Sequence, residues 1–488
     1  MCDRSGPDTG AALCLTAIGQ QDTYLLGEGK SFFNYEPKQH SEFRKFHRNY
    51  TVYKPNVANT GWPFGNDIKV TFRPQDMGDL LCNMYIKIVL PKLSDLATNE
   101  TAGYAENIGK HLFKKIDMRV DETILETYNH DIGLIYDELY TDSSEKLSKI
   151  YTDGRTTDAS SKTTVYIPIP LFFSRNYESD DYEQVTHNRP YFPLCSINKQ
   201  KLEFDITFNP QTFFALTNDT VELDDFDIIT EEITLTHQER LFLTSNKYTM
   251  ITDIFKRHPS EVTEENRDTF KIELTPENRV KTLHFFFRNI DFEDENVEGS
   301  YYVDNTLAEN KNKMFYKNRF NFTTSDSFDN NEDGILENIV DSIDIFIDNQ
   351  RIQNLEYNDH TYYRYITGME TYLSSTKKNI YSYTFSMIPR NVNPSGSLDF
   401  TNIKNNRTSI NCNLRTDRID GKTFTFNMYY TCYKTFTFEN GYLTTRNEES
   451  ISYSPTSNYM SSNGKYSIND EMVLETGDST VMLASFPE

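Results

Sequence analysis

"KIDMRVDETILETYNHD" (residues 115–131) and "SIDIFIDNQRIQNLEYNDH" (342–360) carry the reading of the fold, because they are two versions of one pattern. Each begins with an Ile-Asp strand, turns at an aspartate (Asp121 or Asp348), runs through a second short strand and reaches Tyr-Asn, at 128–129 or 357–358. Their offset is 227 to 229 residues. "FFSRN" (172–176) and "MIPRN" (387–391), both apolar strands ending in Arg-Asn, repeat at a similar offset of 215. One such pair between β-rich sequences can arise by chance; two pairs in the same order point to a duplicated unit. The duplication predicts two homologous β-sandwiches in tandem.

Alternation with a period of two dominates the rest of the chain. Leu80, Cys82, Met84, Ile86, Ile88 and Leu90 share one face, as do Leu202, Phe204, Ile206 and Phe208. Tyr381, Tyr383, Phe385 and Met387 form a third row opposite Ser382, Thr384 and Ser386, and Phe424, Phe426, Met428, Tyr430 and Cys432 a fourth. One buried and one wetter face is what the antiparallel sheets of a sandwich present. Between the third row and "SLDFTNI", Asn393 and Pro394 stop the strand and Gly396 supplies the backbone freedom for a corner. Helical patterns are few: "DIGLIYDELY" (131–140) and "HQERLFLTSNKY" (237–248), the second lying between the strand patterns "EEITLT" (231–236) and "TMITDIF" (249–255).

The totals agree. At 488 residues the chain exceeds the size at which one core keeps growing. Its 32 Tyr and 34 Phe against 20 Gly and 17 Pro favour sheets. A formal charge of −24 argues against coating nucleic acid, since phosphate neutralisation needs an excess of Lys and Arg. The basic stretch Lys38–Lys54 reads first as a solvated loop or edge strand, and second as a phosphate or lipid site. Cysteines at 2, 14, 82, 195, 412 and 432 form no CxxC pair and no zinc spacing, so buried free thiols and a reducing site of folding are expected. No apolar run approaches the roughly 20 residues of a membrane-spanning helix, and the chain reads as soluble. "AALCLTAI" (11–18) imitates a signal-peptide core, but Asp3 and Asp8 outweigh Arg4 ahead of it, so no cleavage is expected.

Candidate chemistry fails motif by motif. "GEGKS" (27–31) lacks the glycine that a phosphate-binding loop needs at position 24, which is Tyr24, and precedes a strand pattern. "DNNEDG" (329–334) alternates Asp329, Asn331 and Asp333 before Gly334 like half a calcium loop, but its twelfth position is Val340; Glu337 would be the next ligand to suspect. A solvated acidic turn is the reading adopted. "EDENVE" (293–298) and "ESDDYE" (178–183) crowd carboxylates as β-sandwich glycosidases do, yet Glu295 stands where Asp is required and Trp62 is the only tryptophan. There is no HExxH and no GxSxG, and nothing assembles an acid, a base and a nucleophile. No catalytic, cofactor-binding or metal-ligating residue is assigned, and no cofactor is expected. Sequons at Asn49, Asn99, Asn218, Asn321 and Asn406 matter only in a secretory pathway.

As a whole the chain resembles the double jelly-roll major capsid proteins of nucleocytoplasmic large DNA viruses. "AALCLTAIGQQDTYLLG" is similar to that family's N-terminal arm, with Gln21, Asp22, Tyr24, Leu25 and Gly27 in its signature. "SFFNYEPKQHSEFRKFHRNYT" resembles the first strand and the basic-aromatic stretch after it, through Phe32, Phe33, Arg44 and Arg48. "MGDLLCNMYIKIVLPKL", "YIPIPLFFSRN" and "LTHQERLFLTSNKYTMI" follow in the family's order, and Asn393, Pro394, Ser395, Gly396, Phe400 and Ile403 stand at its Pro-Ser-Gly corner. A longer "NYEPKQHSEF", the polar insertion 141–164 and the Ser-, Asn- and Tyr-rich tail from Ser450 depart from the pattern.

The resemblance implies an all-β chain of two tandem eight-stranded antiparallel jelly rolls with few short helices. The expected division is an arm (1–26), a first jelly roll (27–225), an interdomain connection (226–250), a second jelly roll (251–449) and a C-terminal extension (450–488). It implies a major capsid protein, not an enzyme, forming homotrimeric pseudo-hexagonal capsomers of an icosahedral shell. Expected partners are itself, neighbouring capsomers, minor capsid proteins beneath the shell and a penton protein, near an internal membrane without insertion and without direct nucleic-acid contact. Expected localisation is the outer capsid of a virion assembled in the host cytoplasm. Residues 141–164, 291–299 and 324–334 are expected in outer loops. The alternatives are a minor or vertex double jelly-roll paralogue and, from a different class, a carbohydrate-binding or glycosidase-like sandwich dependent on Glu295 or Glu298.

Overall fold

The computed structural model describes residues 44–51, 62–63, most of 67–445, and two short strands at 475–476 and 479–480. Within 67–445 the segments 95–102, 153–160, 176–188, 291–321 and 323–337, with a few shorter ones, lie outside the described residues. So do the N-terminal arm, "GEGKS", "ESDDYE", "EDENVE" and "DNNEDG", together with nearly all of the tail.

Eight strands build the first sandwich: β1 (Arg44–Thr51), β2 (Asp67–Phe72), β3 (Leu80–Leu90), β4 (Phe113–Val120), β5 (Thr123–Tyr128), β6 (Thr163–Pro168), β7 (Leu202–Phe208) and β8 (Asp225–Thr234). They form one sheet in the order β1-β8-β3-β6 and a second in the order β2-β7-β4-β5, with every neighbour antiparallel. The second sandwich repeats this with β9 (Tyr248–Arg257), β10 (Thr269–Glu273), β11 (Arg279–Asn289), β12 (Val340–Ile347), β13 (Gln350–Arg351), β14 (Tyr381–Thr384), β15 (Ser409–Leu414) and β16 (Phe424–Glu439). Its sheets run β9-β16-β11-β14 and β10-β15-β12-β13, so adding eight to each label of the first sandwich gives the second. This is the jelly-roll order, twice.

The duplicated stretch that predicts the fold forms the β4–β5 and β12–β13 hairpins. Both turn aspartates take positive φ, 52° at Asp121 and 48° at Asp348, and Asn349 follows at 64°. Asp and Asn tolerate this region because a short polar side chain costs least there. Beyond each hairpin the Asn-Asp pairs start helices. Asn129 accepts from Ile132 N at 2.9 Å and caps α1 (His130–Ile135), while Asp359 accepts from Thr361 N at 2.8 Å ahead of a π-helical turn at Tyr362–Ile366.

Alternation holds where predicted on β7, the start of β14 and β3 from Met84 to Leu90, but not everywhere: a bulge opposite Glu231 and Glu232 puts Leu81 in the main core and turns Leu80 and Cys82 to a second cluster with Ile233, Leu235 and Leu243. Met387 is exposed, because β14 ends at Thr384 and the chain enters the corner. There Gly396 has φ 129°, and a Cβ would lie 2.8 Å from the Phe385 carbonyl oxygen, so the corner requires glycine. The polar insertion 141–164 is not a plain loop: Ser143–Thr152 forms helix α2, and Thr163 and Thr164 already belong to β6. β8 lies between β1 and β3, and residues 235–247 run from its end to β9 as a connection. That connection holds α3 (His237–Ser245), capped by Thr236 and tied back by Arg240 to Asp79 at 3.3 Å. Buried apolar side chains of both sandwiches form one contiguous cluster.

Candidate functional site at the seam between the sandwiches

The densest chemistry among the described residues lies where the first sandwich meets the outer face of the β9-β16-β11-β14 sheet. On β11, Leu283, Phe285 and Phe287 point into the sandwich beside Tyr430, Met428 and Phe426 of β16. Alternation sends Thr282, His284, Phe286 and Arg288 outward, yet all four are buried, as are Tyr429 and Asn427 beside them. Their cover comes from the first sandwich.

Glu126 of β5 is the anchor at one end. Its carboxylate accepts from Phe172 N at 2.7 Å and from Phe255 N of β9 at 2.8 Å, and it pairs with Arg175. Arg175 also donates to Asp253 O at 3.1 Å and to Pro170 O at 3.1 Å, with its guanidinium 4.5 Å from the Phe255 ring centre. Asp253 in turn accepts from Lys281 Nζ at 3.1 Å, and Lys281 donates to Asn391 O at 2.9 Å. Burial pushes the Glu126 carboxyl up, against the pull of Arg175 and the two backbone amides. The Arg-Asn motifs thus meet at one network through Arg175 and Asn391.

Asp131, at the start of α1, anchors the other end. It pairs with Arg288 and accepts from Tyr429 OH at 2.8 Å, and Asn129 donates to the same hydroxyl at 3.0 Å. Between the anchors sits His284. Its Nδ1 meets Ser382 Oγ at 2.9 Å, its Nε2 meets Thr282 Oγ1 at 3.1 Å and Tyr140 OH at 3.3 Å, and Tyr372 and Phe255 flank the ring. Burial drives its pKa down to about 3, which keeps the imidazole neutral. Phe172 against Phe436, at 5.1 Å, and Phe192 against Phe438, at 6.0 Å, seal the edge. These contacts lock two blocks together.

A cleft of about 60 Å³ opens beside Asp137, lined by Tyr85, Lys110, Lys149 and Arg189 among others, room for about two waters. Burial raises the Asp137 carboxyl, but Lys110 and Lys149 outweigh it and hold the group at about 2. Cys82, Cys195, Cys412 and Cys432 are free and buried, and burial raises every one of their thiol pKa values. Among the described residues no group of three or more His, Cys, Asp or Glu side chains is placed to hold a metal ion, and no helix is long and apolar enough to cross a membrane. Of the candidates weighed in the sequence, Val340 lies on β12, and Arg44 and Arg48 lie on β1; Glu295, Glu298, Asp329, Asn331, Asp333 and Glu337 lie outside the described residues. The seam charges were not singled out in the sequence, although His284 and Arg288, on the same parity of the apolar run "RVKTLHFFFRN", mark a second buried face, with Lys281 in the bulge before it.

Residues 41–247 match the family model for the N-terminus of major capsid proteins, and residues 239–444 match the model for the large eukaryotic DNA virus major capsid protein. The chain belongs to the major capsid protein family of large eukaryotic DNA viruses. The two matches meet at α3, the helix between the sandwiches. Solved capsid structures share the fold. The crystal structure of PBCV-1 VP54, fitted into a reconstruction of the virophage Sputnik, aligns with a TM-score of 0.64 at 14% identity, covering 85% of this chain and 99% of that one. The quasi-atomic model of the PBCV-1 capsid gives 0.63 at 15%, with 85% and 99% covered. The Faustovirus major capsid protein gives 0.52 at 10%, with 88% and 97% covered. No curated protein sequence matches. At these identities the likeness establishes a double jelly roll, as the strand order does independently.

Proposed function

We propose that three copies of this capsid protein form a homotrimeric capsomer of pseudo-hexagonal outline, and that such capsomers tile an icosahedral virus shell as its major protein. The observation that carries this reading is the strand-for-strand repeat of one sandwich by the other. A chain made of two like blocks presents six like edges when three copies close into a ring, so threefold identity can satisfy a hexagonal lattice. The similar PBCV-1 structure, described as a virus capsid, supports the same role.

In this reading the protein is a structural subunit without catalytic activity or cofactor, located in the outer capsid of virions assembled in the host cytoplasm. A net charge of −24 keeps it off the genome. The division into arm (1–26), two rolls, connection and extension (450–488) is part of the proposal. The arm would meet minor capsid proteins or the neighbouring capsomer; penton contacts and a nearby internal membrane complete the set. Light scattering on the eluting full-length protein tests the assembly: a particle of three 57.0 kDa chains is expected, and a stable monomer would refute it. The protein's mass fraction in purified particles decides between the major role and a minor or vertex one.

A further inference from the structure

The surroundings treat the two halves of the repeat differently. In the first sandwich two projecting side chains reach into the seam: Tyr140, 6% exposed, meets His284, and Phe172 meets Phe436, with Phe173 packed against Phe172 and both 0% exposed. In the second sandwich the position 229 residues after Tyr140, the offset that relates Asn129 to Asn358, is Met369. The positions 215 after Phe172 and Phe173 are Met387 and Ile388. These stand 74%, 85% and 44% exposed. They belong to one surface, because Arg390 Nε donates to Thr371 O at 3.3 Å and ties the 387–391 segment to the end of α4 (Thr367–Thr371), which bears Met369.

We propose that Met369, Met387 and Ile388 are the unfilled half of a second seam, and that the first sandwich of another copy of this chain covers them. The template is inside the chain. β9, β11 and β16 receive Tyr140 and Phe172, and their counterparts in the first sandwich are β1, β3 and β8. The outer face of β3 and β8 suits the role. Ile229 and Tyr85 are cross-strand neighbours and half-buried, Lys87 and Asp227 neutralise each other at 3.0 Å, and Tyr166 on adjacent β6 is exposed. Three large apolar side chains clustered on one surface, with a neutral, part-apolar face at the matching place on the other block, make a head-to-tail contact. Such a contact gives a closed ring when its rotation closes. The inference rests on the trimer reading and supplies its contact residues.

Full-length wild-type protein, the double variant M369D/M387D and the control V262D, which charges an exposed apolar site elsewhere, are compared by light scattering at one concentration. The wild type and control are expected as trimers and the double variant as a folded monomer. A trimeric wild type with an equally trimeric double variant would overturn this surface while leaving the trimer standing; a monomeric wild type overturns both. A second measurement avoids the charge altogether. Variants M387C and I229C, each adding one cysteine to the six of the chain, are mixed, treated with a short bismaleimide and mapped by mass spectrometry. A link from residue 387 of one copy to 229 of another supports the contact, and a trimer that never yields it counts against the contact.

Discussion

β3 and β11 hold the same place in their sandwiches, third in the β1-β8-β3-β6 and β9-β16-β11-β14 sheets, yet they meet opposite surroundings. Both send an apolar row into the core, Met84, Ile86, Ile88 and Leu90 from β3 and Leu283, Phe285 and Phe287 from β11. On the other face β3 carries Tyr85, Lys87 and Val89, all half-buried, with Lys87 paired to Asp227 at the surface. β11 carries Thr282, His284, Phe286 and Arg288, all buried and each satisfied by ion pair, hydrogen bond or ring contact with the seam. A duplicated sheet therefore acquires one outer face for solvent or another subunit and one for its own chain. The difference lies in whether each polar group on that face can find a partner once water is gone.

The largest test of this contrast pairs Glu126→Ala with Lys87→Ala. Removing Glu126 strands Arg175 and two backbone amides in a dry seam, a loss of about 3–5 kcal/mol, whereas Lys87→Ala should lose less than about 1 kcal/mol. Urea unfolding of both variants measures it, and equal losses would erase the distinction between the faces. Next in size is a pH effect. His284 has a folded pKa near 3 against an ordinary 6.5, so its contribution is fully present above pH 6.5 and falls away as pH drops towards 3. At pH 5 the loss is about 2 kcal/mol. The wild type should lose that much more stability than His284→Asn between pH 7.5 and 5; parallel curves would mean the imidazole is not held neutral in the seam. The smallest effect sharpens the comparison of the helix starts. Asn129→Ala removes the cap of α1 and should cost about 1 kcal/mol. Asn358→Ala, whose amide donates to Asp344 at 3.2 Å while Asp359 makes the cap, should cost less. Thermal melts that rank the two variants the other way would place the cap in the wrong residue.

Much of the fold was legible in the sequence because it is written in local patterns. The alternating rows on β7 and β16 and the part of β3 from Met84 to Leu90 were read correctly, whereas the bulge that turns Leu80 and Cys82 to the other face leaves no mark in the alternation; the aspartate turns and the Gly396 corner depend on backbone conformations that few residues accept. The row through Met387 ran too far because periodicity cannot see where a ladder loses its partner: Tyr381–Phe285 pairing ends at Thr384–Thr282. α2 was missed because its few apolar residues give a polar stretch that reads as a loop. The candidate site was the least legible part. Arg175, Asp253, Lys281 and Arg288 look like ordinary strand-end or strand-face charges until the two blocks meet.

The sequence alone settled the duplication, the sandwich class and the corners, since these follow from side-chain alternation and from backbone regions open only to Gly, Asp or Asn. Tertiary structure alone decided which of the two like sheets would be dry. That choice depends on what covers a face, and the covering residues, Tyr140 and Phe172 on one side and His284 and Phe436 on the other, are 144 and 264 residues apart in sequence.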